Sequence, residues 1–520
     1  MQKFWQTSRQ WCVHHQDLCI AIILALAFLI VQFFFLPDYG ATWDEPLHRN
    51  WGKLFSMFWK TGDRSLLYMM PGNGVYYSPA YFTLSYLVSE FFLSWGLPLY
   101  QASHILNLCT ASLVVFFTFL LTRHLFSRRV ACFSVVFLLG FPQFLAHAHY
   151  NPKDIPLMLF VLMTSYFFLW SLSRKNTRLL LFSAFLFGAS IAMKVSAILM
   201  APVFLVTYVT SVLPELRNTP MKSFIERQIL LVLASTLLLM IGAVVFWPSA
   251  WGDLHLIPSS IAFFLGHSFW PGRELFMGTL YAGADLPWYY TPLVYLQSTP
   301  VLTILFFIIG ATTLLRKNRS VHKTQAIFLA LWILVPLLAS LKPDLVRYDG
   351  IRQFFFVLPS ILIIASLGFD RILSWILTRG LSRWVSVIFV SVLVLSLIHE
   401  VISLHPFEGS YRNEVVRIMN PVDMDRRYEI EYWGASYKQG LDWLAENAEP
   451  NAEICVPVAG LLISWYEQRP DLTFNCSRQT SYVMFFTRYS ELKSVAFEQM
   501  TPIFTIERMG ASLLKIYMIR

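Results

Sequence analysis

What most constrains this chain is a succession of apolar runs, most of them close to 20 residues long, separated by short segments carrying Arg and Lys. The runs lie at 18–37, 104–122, 130–148, 155–173, 179–193, 196–213, 228–247, 293–314, 325–341, 353–369 and 384–402. A helix needs about 20 apolar residues to cross bilayer hydrocarbon, where each backbone polar group must find its partner inside the segment. Only 14% of the residues are charged and 56% are hydrophobic, whereas a soluble globule carries about 25% charge. The chain reads as an all-α polytopic membrane domain of about eleven spans.

The net charge of +9 sits in short clusters between runs, such as Arg123, Arg128 and Arg129, or Arg316, Lys317 and Arg319. Such clusters mark loops held on the cytoplasmic side, not a nucleic-acid surface. They place the N-terminus in the cytoplasm and the C-terminus outside, in a multi-pass protein of the inner (plasma) membrane. Lys3 and Arg9 precede the first run and no small-residue cleavage site follows it, so it reads as a retained helix. The runs at 179–193 and 196–213 meet at Lys194 on the outer side.

Between the first two runs, 46–60 and 79–95 have helical apolar spacing and read as juxtamembrane helices. Residues 248–292 read as an aromatic loop. After 402 the hydropathy falls, dividing the chain into a membrane domain, 1–402, and a small extracytoplasmic α/β domain, 403–520. Within the latter a helix is expected at 436–447, with strands at 452–459, 472–475, 481–487, 502–507 and 511–519. Cys455 and Cys476 share this segment and can pair if it is extracytoplasmic; Cys12, Cys19, Cys109 and Cys132 fall in or beside apolar runs.

The chemistry-bearing residues gather where runs end. Thr42-Trp43-Asp44-Glu45-Pro46 follows the first run, and Asn151-Pro152-Lys153-Asp154-Ile155-Pro156 precedes the fourth. Asp44, Glu45 and Asp154 all fall on the outer face. Each also has a plainer reading: Asp44 caps a helix beginning at Pro46, and Asp154 sits in a first turn favoured by the helix dipole. Arg347 and Arg352 offer planar forks to phosphate oxygens or anchor the interface. Lys194, inside an apolar stretch, requires an acidic partner or access to water, and Lys153 can snorkel. His147 and His149, at i and i+2, do not share a helical face, so no metal or other cofactor is expected.

With these residues in order, the chain resembles the C-type integral-membrane glycosyltransferases of the family 39-like branch. That branch holds protein O-mannosyltransferases and lipid A aminoarabinose transferases. The resemblance rests on Asp44-Glu45, on Asp154-Ile155-Pro156, on Gly188 through Lys194, and on Arg347-Tyr348 before Pro359. Asn151 through Pro156, Ala284-Asp285-Leu286-Pro287-Trp288 and Tyr348 through Arg352 are similar to a bacterial subgroup. Two positions depart. Tyr77-Ser78-Pro79-Ala80 stands where relatives carry Lys or His before Pro-Pro, and Leu47 where the aminoarabinose branch has Arg.

The resemblance implies an inverting transfer of a monosaccharide from a polyprenyl-phosphate donor to an extracytoplasmic lipid, glycan or protein. Asp44 is the expected base, Glu45 its assistant and Asp154 the residue that orients substrate. Arg352, Arg347, Lys194, Lys153 and Tyr77 are the expected phosphate- or substrate-binding residues. A flippase for lipid-linked sugars is the rival reading; the absence of an internal repeat and the crowding of charge at one boundary favour the enzyme.

Overall fold

The structure is a computed structural model describing residues 15–72, 74–217, 219–266, 270, 272–315, 323–343, 345–488 and 500–519. Lys3, Arg9, Cys12, the basic group Arg316, Lys317 and Arg319, and Asp344 lie outside the described residues.

Among those described, seven helices are long and apolar enough to cross a membrane: Gln16–Phe34, Leu99–Leu125, Asp154–Arg174, Val195–Glu215, Met221–Val245, Arg352–Thr378 and Arg383–Leu404. Two bent pairs raise the number to nine. Arg128–Leu139 meets Pro142–Tyr150 at 70°, and Tyr290–Ser298 meets Val301–Leu315 at 112°. Both breaks follow from proline, which lacks an amide donor and disfavours helix in the residue before it: Pro142 in one case, Pro300 in the other. The remaining two expected runs form shorter apolar helices, Thr177–Met193 and Lys323–Ala339. Each of the eleven runs is thus helical, though fewer than eleven are long, straight spans.

Leu99–Leu125 is buried along most of its length and packs against Gln16–Phe34, Ala80–Leu93, Arg128–Leu139 and Asp154–Arg174. The outer helices expose apolar side chains, among them Ile23, Leu230, Leu233, Leu395 and Ile402. An apolar belt of this kind belongs against lipid. Thr177–Met193 and Met221–Val245 approach closely at Gly188, where an added Cβ would lie 1.9 Å from the Leu239 carbonyl oxygen.

The first outer segment forms Glu45–Thr61 and Ala80–Leu93, matching the two expected juxtamembrane helices. The aromatic stretch departs from expectation: instead of an irregular loop it forms helix Leu256–Gly266 and an antiparallel hairpin, Arg273–Phe276 with Thr279–Ala282. Its turn uses Met277 and Gly278, both with positive φ. Met-Gly is a weak hairpin signal beside Asn-Gly.

The C-terminal residues build a five-stranded sheet in the order Thr473–Phe474, Glu453–Cys455, Tyr482–Phe486, Ala511–Met518, Phe504–Arg508. Helix Tyr437–Asn447 covers it, and Cys455 is disulfide-bonded to Cys476. This tail is tied to the helical part: Asn413 donates to the Leu296 carbonyl, and the Glu429 amide donates to the Leu275 carbonyl.

Candidate active site

Asp44 stands at the N-terminus of Glu45–Thr61, with Pro46 in the first turn. The loop before it is held from three directions. Glu45 folds back, its Oε2 accepting from the Thr42 amide (2.5 Å) and hydroxyl (3.0 Å). Its other oxygen lies 3.0 Å from His104 Nε2. The Trp43 amide donates to the Trp433 carbonyl, and the Ala41 amide to the Tyr466 hydroxyl. The Asp44 carboxylate, 29% exposed, is left facing a cavity.

The second motif organises itself. Asn151 Oδ1 accepts from the amides of Lys153 and Asp154, and its Nδ2 donates to Asp154 Oδ2 at 2.8 Å. Asp154 is buried, and its Oδ1 accepts from Lys194 Nζ at 2.6 Å. Lys194 occupies the break between Thr177–Met193 and Val195–Met200, where its extended backbone turns the amine toward Asp154. Lys153 faces the first motif instead, its Nζ 3.6 Å from Asp44 Oδ2 and over the rings of Trp51 and Tyr77.

Arg352 joins the two sides. It follows a turn in which Asp349 and Gly350 both have positive φ, a conformation that glycine adopts freely and Asp tolerates. The turn is fastened by the Asp349 amide donating to Glu274 and the Gly350 amide donating to the Tyr290 hydroxyl. The Arg352 guanidinium donates to Asp44 at 3.3 Å and to Asp349, and lies over the rings of Tyr348 and Trp433. Asp349 also meets Arg488 at 3.2 Å. Burial alone would raise the Asp44 pKa, but Lys153 and Arg352 together hold it well below the usual carboxylate range. Burial pulls the Lys153 amine down, and the Asp44 charge opposes it.

Two cavities meet at this cluster. One, of about 310 Å³, has Val195, Ile198, Leu199, Phe263 and Phe264 on its walls together with Lys194, Lys342 and Tyr77. The other, of about 320 Å³, is bounded by Trp43, Asp44, Asp349, Arg352, Trp433 and Arg488. Trp270 borders both and stacks on Tyr348 with ring centres 4.4 Å apart.

The structure therefore brings Asp44, Asp154, Lys153, Lys194, Arg352 and Tyr77 together, with Asp44 and Arg352 bordering the second cavity and Lys194 and Tyr77 the first. Two expected residues stand apart. Glu45 is buried among Thr42 and His104 and does not border the cavity that Asp44 faces. Arg347 is 2% exposed and spends its donors on the backbone carbonyls of Leu286, Pro287, Trp288, Ser340 and Leu345. His147 pairs with Asn151, and His149 with Gln32. Among the described residues no group of three or more His, Cys, Asp or Glu is placed to hold a metal. Asp349, Trp43, Trp270, Trp433 and Arg488 were not singled out by sequence. Asp349 and Trp43 lie inside quoted motifs, but Arg488 carries no local signal.

Residues 83–247, a stretch containing Asp154 and Lys194, match the family model of dolichyl-phosphate-mannose-protein mannosyltransferase. The apo crystal structure of ArnT from Cupriavidus metallidurans matches with a TM-score of 0.52 at 13% identity, over 98% of this chain and 98% of that one. The chain shares the fold of that crystal structure. The apo crystal structure of the oligosaccharyltransferase of Archaeoglobus fulgidus matches with a TM-score of 0.50 at 12% identity, over 91% of this chain and 70% of that one. No curated protein matches the chain in sequence.

Proposed function

We propose that this glycosyltransferase moves a monosaccharide from a polyprenyl-phosphate donor to a hydroxyl of an extracytoplasmic acceptor, inverting the anomeric carbon. The acceptor oxygen attacks C1 of the donor sugar while the bond between C1 and the phosphate oxygen breaks. Asp44 takes the hydroxyl proton as general base, a role worth about 10²–10⁴-fold in rate. The polyprenyl phosphate departs with the electron pair, its growing charge met by Lys194, Lys153 and Arg352. Asp154 holds Lys194 in place for that role, and Glu45 acts through the Thr42–Asp44 loop.

The observation that carries this reading is that an ionised, partly exposed carboxylate is joined to Lys153 and Arg352, in one cluster with Lys194, which borders an apolar cavity. The apolar walls suit a polyprenyl tail, and the matched family model is described by a lipid-phosphate-linked sugar. Basic loops support a cytoplasmic N-terminus in an inner membrane. The Cys455–Cys476 bond supports an oxidising, extracytoplasmic side for a C-terminal domain running from 403 to 520.

Transfer from a radiolabelled polyprenyl-phosphate sugar to envelope material tests the proposal. Asp44→Asn should lower transfer by about 10²–10⁴-fold while binding of polyprenyl phosphate persists. Undiminished transfer removes Asp44 from the base role, and translocation without covalent transfer favours the flippase.

A further inference from the structure

We propose that the polar cavity beside Asp44 is an acceptor subsite for a neutral saccharide, with Arg488 of the C-terminal segment as one wall. This rests on the reading of Asp44 as base and names the acceptor class that reading leaves open.

Charge balance comes first. Among the described residues that border this cavity, Asp44 and Asp349 face Arg352 and Arg488, two charges of each sign. The guanidiniums are already engaged: Arg352 with Asp44 and Asp349, Arg488 with Asp349 and with the Tyr432 carbonyl at 2.6 Å. A phosphorylated or carboxylated acceptor would meet guanidiniums already committed to carboxylates and a carbonyl, and its desolvation would be poorly compensated. Next door, Lys342 borders the apolar cavity together with Lys194, which Asp154 already pairs.

The walls make the same distinction. Trp43, Trp270, Tyr432 and Trp433 border the polar cavity, and no aliphatic side chain does so among the described residues. An acyl chain or an aliphatic peptide side chain finds no matching surface. A sugar ring offers C–H groups to aromatic rings and hydroxyls to carboxylate and guanidinium. At about 320 Å³ the space is at the lower end for a ligand cavity, so it admits a small saccharide unit and not a folded peptide loop. Arg488 is fixed for this use: it is buried, and its guanidinium lies 5.7 Å from the Trp43 ring centre and 5.6 Å from that of Trp270.

The test is equilibrium binding to the full chain in detergent, by titration calorimetry and saturation-transfer NMR. The probes are methyl glycosides and disaccharides of neutral hexoses and N-acetylhexosamines, their 6-phosphates, and a Ser/Thr peptide. A neutral saccharide should bind at least about tenfold more tightly than its phosphate, with no measurable peptide binding. Arg488→Gln should weaken the saccharide about tenfold, and Trp43→Phe severalfold, while affinity for citronellyl phosphate stays within about twofold. With a citronellyl-phosphate hexose bound as donor mimic, the saccharide should remain; its displacement would make this the donor's own sugar pocket. That displacement, silence across the neutral saccharides, preference for phosphate or peptide, or indifference to both substitutions overturns the proposal. None of these readouts needs turnover, so a chain that binds saccharide and transfers nothing fails only the reading of Asp44.

Discussion

Arg352 Nη1 lies 3.3 Å from Asp44 Oδ2, a contact spanning 308 positions of sequence. The same guanidinium donates to Asp349, so one planar group sets the distance between two carboxylates. A lysine amine lacks that fork. Arg352→Lys should keep the fold and lose transfer. Arg352→Ala should lose about 10²–10³-fold in kcat, the effect of deleting a group that stabilises developing charge. Transfer kinetics with thermal unfolding in detergent separates the two effects, and wild-type kcat in Arg352→Lys would refute the bridging role.

Lys194 and Asp154 form an ion pair at 2.6 Å, with Asp154 1% exposed. Removing one partner strands the other charge, which typically costs about 3–5 kcal/mol. Lys194→Met should therefore destabilise the protein strongly. Asp154→Asn combined with Lys194→Met should recover most of that loss without restoring transfer. A thermodynamic cycle on the four proteins checks this; additive effects would mean that the two groups are not coupled.

Arg347 should behave as a structural residue. Its guanidinium satisfies carbonyls from Leu286 to Trp288 and from Ser340 and Leu345, and each buried acceptor left unpaired costs about 1–3 kcal/mol. Arg347→Ala should lower the melting temperature. The protein that remains folded should bind polyprenyl phosphate with unchanged affinity. A selective loss of phosphate binding at normal stability would return Arg347 to the phosphate-binding group.

Much of this arrangement is legible in the sequence, for a local reason. Apolar run length and loop charge are read residue by residue, and they locate all eleven helical stretches as well as the strands of the tail. Asp44, Lys153, Asp154, Lys194 and Arg352 stand out because charge at the end of an apolar run demands an explanation. Direction is not local. Polarity alone does not tell that Glu45 turns back to Thr42 while Asp44 faces a cavity, or that Arg347 collects carbonyls while Arg352, five residues on, meets two carboxylates. Arg488 is hidden for the strongest reason. It follows strand Tyr482–Phe486, and only the packing of the sheet on the helical part brings it to Asp349.

Glu431 makes stability depend on pH with a definite sign. Its carboxylate is buried and accepts from the amides of Trp433 and Gly434, shaping the turn whose Trp433 carbonyl receives the Trp43 amide. Burial raises its pKa to about 7, against about 4.3 in an unfolded chain. Between those values the folded state holds the proton more tightly. The contribution is fully present below about pH 4.3 and is lost as pH rises through 7, at no more than about 1.4 kcal/mol per unit. Burial pushes Glu274 and Glu429 in the same direction, so all three acids should steepen the decline. Glu431→Gln keeps an oxygen for the two amides and removes the titration. It should match the wild-type melting temperature near pH 5, exceed it at pH 8 and flatten the curve between. A melting curve across that range with the slope unchanged would show that Glu431 is already ionised at low pH in the folded protein.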